Sequence, residues 1–372
     1  DIDAIKKTLK SNFITQGPKI KEFEEKVAKL VGSKYAVAVS SASAGLHLSS
    51  IALNLKKGDT MITSPITFVS SANAALHCGA KVEFSDIDIE TINLSYEKLK
   101  TKLEKNKKIK LVMPVHFAGL PCDMKKIHSL KKKYNFEIIE DAAHALGAKY
   151  FSGEKVGSCK YSLATVFSFH PVKIVAAGEG GIITTNNKNF YENLLTLRSH
   201  GITKDNNLFK NKKFKGLTHA YEMQKLGFNY RITDIQATLA ISQLNRLKDF
   251  LQKRTKIAKT YDHYFKNLPN IRIPQFRLRD YSSNHLYIII IDFKKIGISR
   301  NELILKLKKK NIGSQVHYIP VPMHPYHKKN VSLNYINNAV SYYENCLSIP
   351  IYYDLKERDL IKLINEIKYY LN

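Results

Sequence analysis

The sequence predicts an α/β protein of two units: a large one built on a mainly parallel sheet of roughly seven strands covered by helices on both faces, then a smaller αβ unit. Three observations predict it. From Lys19 to about Thr185, amphipathic helical stretches alternate with short β-branched runs, the pattern of strands buried on both sides. After Asn186 the helical stretches lengthen and a second alternation begins. The chain has 372 residues with 44% hydrophobic and 10% aromatic content, enough apolar surface for two cores.

The first helix is expected after Pro18, with Phe23, Val27 and Leu30 as its apolar stripe and Gly32 at its end. Strands follow at 35–39, 61–63, 82–84, 109–115, 136–139, 165–167 and 181–184. The lysine- and asparagine-rich stretch 204–215 reads as a flexible loop. Asp234 is placed to cap a helix. Beyond it, 284–292 reads as a strand, Ser299 with Glu302 as a capping box, 314–318 as a short strand and 356–370 as a terminal helix. The division expected is 1–245 for the large unit with its N-terminal segment and 246–372 for the small one.

Cys78, Cys122, Cys159 and Cys346 stand far apart without C-x-x-C spacing, so neither a disulfide framework nor a metal site is expected, and reduced thiols of a cytoplasmic protein fit best. The longest apolar run, 286–291, is too short to span a bilayer, and no charged-then-apolar leader opens the chain. The chain starts at Asp1 without methionine, so native N-terminal residues are expected to be missing. A net charge of +27 invites a nucleic-acid reading. The lysines, however, are spread over 105–110, 125–133, 210–215 and 306–310, on solvent faces of predicted helices and without a nucleic-acid-binding motif. The same positive field suits an anionic small substrate such as a nucleotide diphosphate.

Phe167-Ser168-Phe169-His170-Pro171-Val172-Lys173, followed by Gly178-Glu179-Gly180-Gly181, sets one lysine behind an apolar strand and ahead of a glycine turn. A lysine so placed becomes a nucleophile when its surroundings lower its pKa or when it forms an imine with an aldehyde such as pyridoxal phosphate (PLP); otherwise it is a loop lysine. A PLP site also needs an acid at the pyridine nitrogen, a phosphate cradle and a platform for the ring. Asp141 in Glu140-Asp141-Ala142-Ala143-His144 ends an apolar strand, where α/β sheets place ligands. His144 is either a partner of the ring hydroxyl or a buried structural histidine. Ser40-Ser41-Ala42-Ser43-Ala44-Gly45 joins a strand to a helix and offers backbone N–H groups to an anion, with the Ser43 and Ser168 hydroxyls as further donors. Phe68, after Pro65, is either the platform or a core residue.

Together with Thr15-Gln16-Gly17-Pro18, Thr67-Phe68-Val69, Gly227-Phe228-Asn229-Tyr230-Arg231 and Gln315-Val316-His317-Tyr318, these blocks resemble, in order and over nearly the whole chain, the nucleotide-sugar aminotransferases of PLP fold type I. The resemblance implies Lys173 as the PLP lysine, Asp141 at the pyridine nitrogen, His144 near the ring hydroxyl and Phe68 stacked on the ring. It places Ala42, Ser43 and Ser168 on the phosphate, and implies a homodimer in which Asn229 of a second copy reaches the same phosphate. Asn12, Thr15, Arg231, His317 and Tyr318 match segments that line the sugar-nucleotide pocket. Two positions depart from the pattern: Ser40 stands where relatives often carry asparagine, and Gly45 replaces another small residue. A related branch that removes a sugar hydroxyl has histidine in place of the lysine, so Lys173 favours transamination, with L-glutamate as amino donor. Val115-His116-Phe117-Ala118-Gly119-Leu120-Pro121-Cys122-Asp123 and Ser282-Ser283-Asn284-His285-Leu286-Tyr287 are most similar to the pseudaminic-acid branch, which implies UDP-2-acetamido-2,6-dideoxy-β-L-arabino-hexos-4-ulose as acceptor. The alternatives are another 4-keto-6-deoxy sugar on UDP, GDP or dTDP, and a PLP-binding regulator without catalysis.

Overall fold

The computed structural model describes residues 1–328 and 333–371. Strands β1 (Tyr35–Val39), β2 (Thr60–Thr63), β3 (Lys81–Phe84), β4 (Ile109–Met113), β5 (Glu137–Asp141), β6 (Ala164–Ser168) and β7 (Gly181–Thr185) form one sheet in the order β1-β7-β6-β5-β4-β2-β3. From β6 to β3 neighbours run parallel, whereas β7 lies antiparallel to both β6 and β1. The two-residue period of a strand sends alternate side chains to opposite faces. Ile138 and Phe167 enter the core with Phe23 and Val27, while Ile139 and Val166 enter the core on the other face with Leu46 and Leu194. This is the three-layer α/β architecture expected, and it brings the carboxyl ends of β5 and β6 side by side.

A second sheet is antiparallel, with Tyr287–Ile291 between Ile271–Arg272 and Cys346–Ile349. Its core gathers Ile289, Leu347, Leu303, Leu307, Leu363 and Ile367, the last four from the helices Arg300–Lys309 and Glu357–Leu371. The capping box of Ser299 and Glu302 opens the first of these helices. The helix Leu247–Phe265 joins the two cores: Leu247 and Phe250 pack in the first, Ile257, Tyr261 and Phe265 in the second. No helix among the described residues is long and apolar enough to cross a membrane.

Three local expectations change, and the loop at 204–215 gains detail. A helix, Ile2–Leu9, precedes the one at Pro18. It carries no buried apolar stripe, since Ile2 is 83% and Leu9 57% exposed, and it is held by polar contacts from Thr8 to Thr238 and from Asp1 to Arg246. Asp234 is not the cap of its own helix, because Thr233 fills that position in a capping box with Gln236. The Asp234 carboxylate instead accepts the N–H groups of Gly17 at 2.7 Å and Lys19 at 2.9 Å. It thereby caps the helix Pro18–Val31, whose N-cap Gly17 has no side chain to do so. The segment 314–318 makes only an isolated bridge, Gln315 to Ser348. The stretch 204–215, read as a flexible loop, carries short 3₁₀ turns at Asn206–Leu208 and Lys212–Phe214 capped by the side chains of Asp205 and Asn211, and Glu222 accepts the N–H groups of Lys210 and Asn211 between them.

Candidate active site

Lys173, Asp141, Phe68, Ala42, Ser43, Ser168, His144 and Tyr318 line one cavity of about 860 Å³ at the carboxyl end of the sheet. Each is held there by its own local cause. β5 ends at Asp141, whose backbone N–H donates to Pro114 O at 2.9 Å while its C=O accepts from His116 N at 3.0 Å. Its side chain is 5% exposed. Oδ2 accepts from Ser71 Oγ at 2.6 Å and Oδ1 from Ala143 N at 3.1 Å, and Thr67 Oγ1 lies 2.7 Å from Ser71 Oγ. Asp141 is therefore a buried, oriented carboxylate, not an exposed loop acid. The adjacent Glu140 points the other way and is consumed structurally. It accepts from Tyr150 Oη at 2.9 Å, His116 Nε2 at 2.6 Å and Thr165 Oγ1 at 3.2 Å, and also from Ser162 Oγ. Because His116 Nδ1 accepts from Cys122 N, its proton sits on Nε2 and is given to Glu140.

β6 ends at Ser168, and the chain then leaves the sheet in a loop pinned at Phe169. Phe169 N donates to Gly180 O and Phe169 O accepts from Ala177 N. Phe169, Ile174, Val175 and Ala177 are buried, and Phe169 packs edge-on against Phe23 with ring centres 5.0 Å apart. Lys173 rides on this anchored loop. Burial pulls its amine down to about 8 even though the Asp141 carboxylate pulls it up. A lysine of that kind is a usable nucleophile and base near neutral pH.

At the end of β1, Ser41 caps the helix Ala42–Ala52 by accepting the Ala44 N–H at 3.1 Å. That leaves the N–H groups of Ala42 and Ser43 without intrahelical partners, turned to the cavity at the positive end of a helix dipole. Ser43 Oγ lies 2.6 Å from Ser70 Oγ, and Ser168 Oγ accepts from His170 N at 3.4 Å, so further hydroxyls ring the same spot. The turn also depends on Gly181, where an added Cβ would lie 2.4 Å from the carbonyl carbon of Ser41 and 2.6 Å from Ala42 N. Gly181→Ala is therefore expected to displace the cradle and weaken PLP binding about tenfold or more, at a stability cost of about 1–3 kcal/mol; spectrophotometric titration of the apoprotein with PLP reads the first and urea unfolding the second.

Phe68 is 60% exposed and lies at the cavity wall with its ring centre 6.4 Å from that of Tyr318, so it is not a core residue. His144 is buried, with Nε2 3.3 Å from Tyr318 Oη. Burial, the Lys173 amine and His317 together hold the His144 imidazole far below its ordinary value, so it is neutral. Burial, with Asp141 nearby, raises the Tyr318 phenol well above its usual range. His317 stands behind this wall, its Nδ1 2.8 Å from Ser348 Oγ, and burial beside Lys173 lowers it to about 4.

Asn12, Thr15, Asn229 and Arg231 are not among the residues that line the cavity of the single chain. Thr15 bridges to Thr233, and Asn229 bridges to Ser199 beside Tyr230, whose carbonyl accepts from Ser40 N. Ser71, His170, Glu179 and Gln236 entered without being singled out in the sequence. Ser71 had a signal, its four-residue spacing from Thr67 at a helix start; Gln236 had the Thr-x-x-Gln capping pattern.

The residues fit PLP: unpaired N–H groups and hydroxyls for a phosphate, with a buried carboxylate, a lysine of lowered pKa and an exposed aromatic ring lining the same cavity. The profile of the DegT/DnrJ/EryC1/StrS aminotransferase family matches residues 1–368. A Campylobacter jejuni protein named UDP-4-amino-4,6-dideoxy-N-acetyl-beta-L-altrosamine transaminase is 40% identical over 96% of this chain and 91% of its own. Helicobacter pylori PseC, described as an aminotransferase involved in the biosynthesis of pseudoaminic acid, superposes with a TM-score of 0.90 at 30% identity over 100% of this chain and 95% of its own. The PLP form of the putative sugar aminotransferase Spr1654 of Streptococcus pneumoniae superposes with a TM-score of 0.88 at 29% identity, over 99% of this chain and 95% of that one. With the profile, the relative and both superpositions running nearly end to end, this chain belongs to the DegT/DnrJ/EryC1/StrS aminotransferase family and is a PLP-dependent sugar aminotransferase.

Proposed function

We propose that the protein moves an amino group from L-glutamate to C4 of UDP-2-acetamido-2,6-dideoxy-β-L-arabino-hexos-4-ulose, giving UDP-4-amino-4,6-dideoxy-N-acetyl-β-L-altrosamine, a step toward pseudaminic acid. The observation that carries the reaction is the depressed Lys173 amine sharing one cavity with the buried Asp141 carboxylate. The similarity to the Campylobacter and Helicobacter aminotransferases supports the choice of sugar.

In this reading PLP, when bound, supplies an electron sink that makes the amino acid's Cα proton acidic. Lys173 is the residue that would anchor the cofactor and, as a free amine, take that proton from Cα and deliver it to the cofactor's C4′ carbon on the same face of the site. Asp141 would accept the hydrogen bond of the protonated pyridine nitrogen, its carboxylate held in place by Ser71 Oγ and Ala143 N. Ala42 N, Ser43 and Ser168 would hold the phosphate, Phe68 would cover the ring and His144 would serve the ring oxygen. Asn12, Thr15, Arg231, His317 and Tyr318 serve the nucleotide sugar.

A homodimer completes the site, with Asn229 of the partner subunit on the phosphate. Two features support it. Asn229 lies outside its own chain's cavity lining. The same region also exposes Leu226 at 78%, with Tyr221, Met223 and Leu208 each at 58%, an apolar surface suited to a self-complementary contact.

The test is a panel of 4-keto-6-deoxy sugars on UDP, GDP and dTDP, offered with glutamate to the holoenzyme and read by mass and NMR. The UDP-arabino-hexos-4-ulose should give the 4-amino product with the highest kcat/KM. A higher value for any other member overturns the substrate assignment, and no product from any of them overturns the reading of the acceptor as a 4-keto sugar.

A further inference from the structure

His144 and His285 meet ring to ring at the back of the cavity. Their centres are 4.5 Å apart and their planes inclined at 44°. His144 is 7% and His285 5% exposed, and the Nδ1 atom of each is buried without a hydrogen-bond partner among the described residues. A buried imidazole nitrogen left unpaired is costly, and two in one ring pair are both satisfied by a single N–H···N bond. An edge-to-edge N–H···N bond of about 2.9 Å sets ring centres about 5 Å apart, so it forms when one ring turns and the centres separate slightly from their 4.5 Å spacing.

The backbone around the pair is fixed. His285 N donates to Ala118 O at 2.9 Å. His285 O accepts from Arg254 Nη1 at 3.1 Å, and the same guanidinium nitrogen reaches Ile351 O at 3.0 Å. Ser283 Oγ donates to the carbonyl of His144 at 2.7 Å. His285 is thereby bolted to the histidine it faces, by bonds to neither ring.

We propose that His285 is a positioning residue for transamination: its Nδ1–H donates to Nδ1 of His144, so that His144 presents Nε2–H, rather than a lone pair, on the side of Tyr318 and the cofactor. Each ring carries one proton in this arrangement. Burial together with the Lys173 amine and His317 keeps His144 neutral. Burial, then His144, Lys173, Arg254 and His317, does the same for His285. Asp141 lines the same cavity and Tyr318 abuts His144; Glu140 is turned to Tyr150 and His116. A donor held at the ring oxygen stabilises that oxygen as an anion and so sets the pH at which the bound cofactor's absorbance changes.

The inference rests on the proposal that the cofactor ring lies against His144, and two measurements keep the two apart. In ¹⁵N-histidine-labelled wild-type protein, with His144 assigned through a His144→Asn variant, His144 should be protonated on Nε2 and bare on Nδ1 with or without PLP. A proton on Nδ1 overturns the inference and says nothing against the cofactor site; no response of the His144 signals to PLP overturns the cofactor placement instead. The second measurement titrates the holoenzyme's yellow absorbance. His285→Leu should move the pH midpoint up by about one unit, while His285→Asn, which keeps an N–H at the same place, should restore it. Equal midpoints in wild type and His285→Leu overturn the inference. Should the leucine variant fail to fold, the wild-type tautomer decides.

Discussion

A Lys173→Ala enzyme is expected to lose turnover by at least about four orders of magnitude and to lose its yellow absorbance, while melting close to the parent. The loop that carries Lys173 is anchored by Phe169, Ile174, Val175 and Ala177, none of which the substitution touches. The amine itself does not hold the fold. With burial bringing it to about 8, roughly one amine in ten is neutral at pH 7, against about one in three thousand for an ordinary lysine. PLP uptake by the apoprotein should therefore rise with pH through about 8 and level off above it. Stability carries the same signature with a definite sign. Between about 8 and 10.5 the unfolded chain keeps a proton that the folded one has released, so apoprotein stability rises with pH across that window, and the alanine variant lacks that component. Full activity in the variant would remove Lys173 from the chemistry.

Asp141→Asn should cost roughly a thousandfold in kcat while leaving PLP bound. Both carboxylate oxygens act as acceptors, from Ser71 Oγ at 2.6 Å and from Ala143 N at 3.1 Å. An amide has one acceptor oxygen for those two donors and no negative charge to keep a pyridine nitrogen protonated. Its NH₂ group must face either Ser71 or the Ala143 N–H, donor against donor, unless the serine hydroxyl turns. The absorbance of the holoenzyme distinguishes cofactor loss from loss of chemistry: a variant that holds PLP and turns over within tenfold of the parent would show that the acid at this position is dispensable.

Much of this site could be read before the fold was seen, for a physical reason. Lys173 and Asp141 follow apolar strands, and strand ends with glycine or alanine turns are where an α/β sheet presents chemistry, so residue type and local pattern coincide. The strands themselves were legible from their β-branched runs, with ends shifted by a residue or two. What could not be read depends on neighbours distant in sequence. Ser71 reaches Asp141 across 70 residues, and Asp234 caps a helix 217 residues before it. Phe68 and His144 were open between core and site until their exposure and packing were known. Ile2–Leu9 lacked the buried stripe that marks a helix, and its stability comes from polar contacts with the helix at Asp234. His285 carries no local signal either, because the ring it meets, that of His144, lies far away in sequence.

The helix Leu247–Phe265 has its first turns socketed in one core and its last turns in the other. A single stiff rod shared in this way couples the halves like an axle seated in two bearings. Motion of the smaller half that carried this helix along would have to bend the rod or unseat Leu247 and Phe250. A rod seated in both cores therefore transmits any change of packing at one end to the other, so substitutions at Leu247 or Phe250 are expected to be felt in the smaller half.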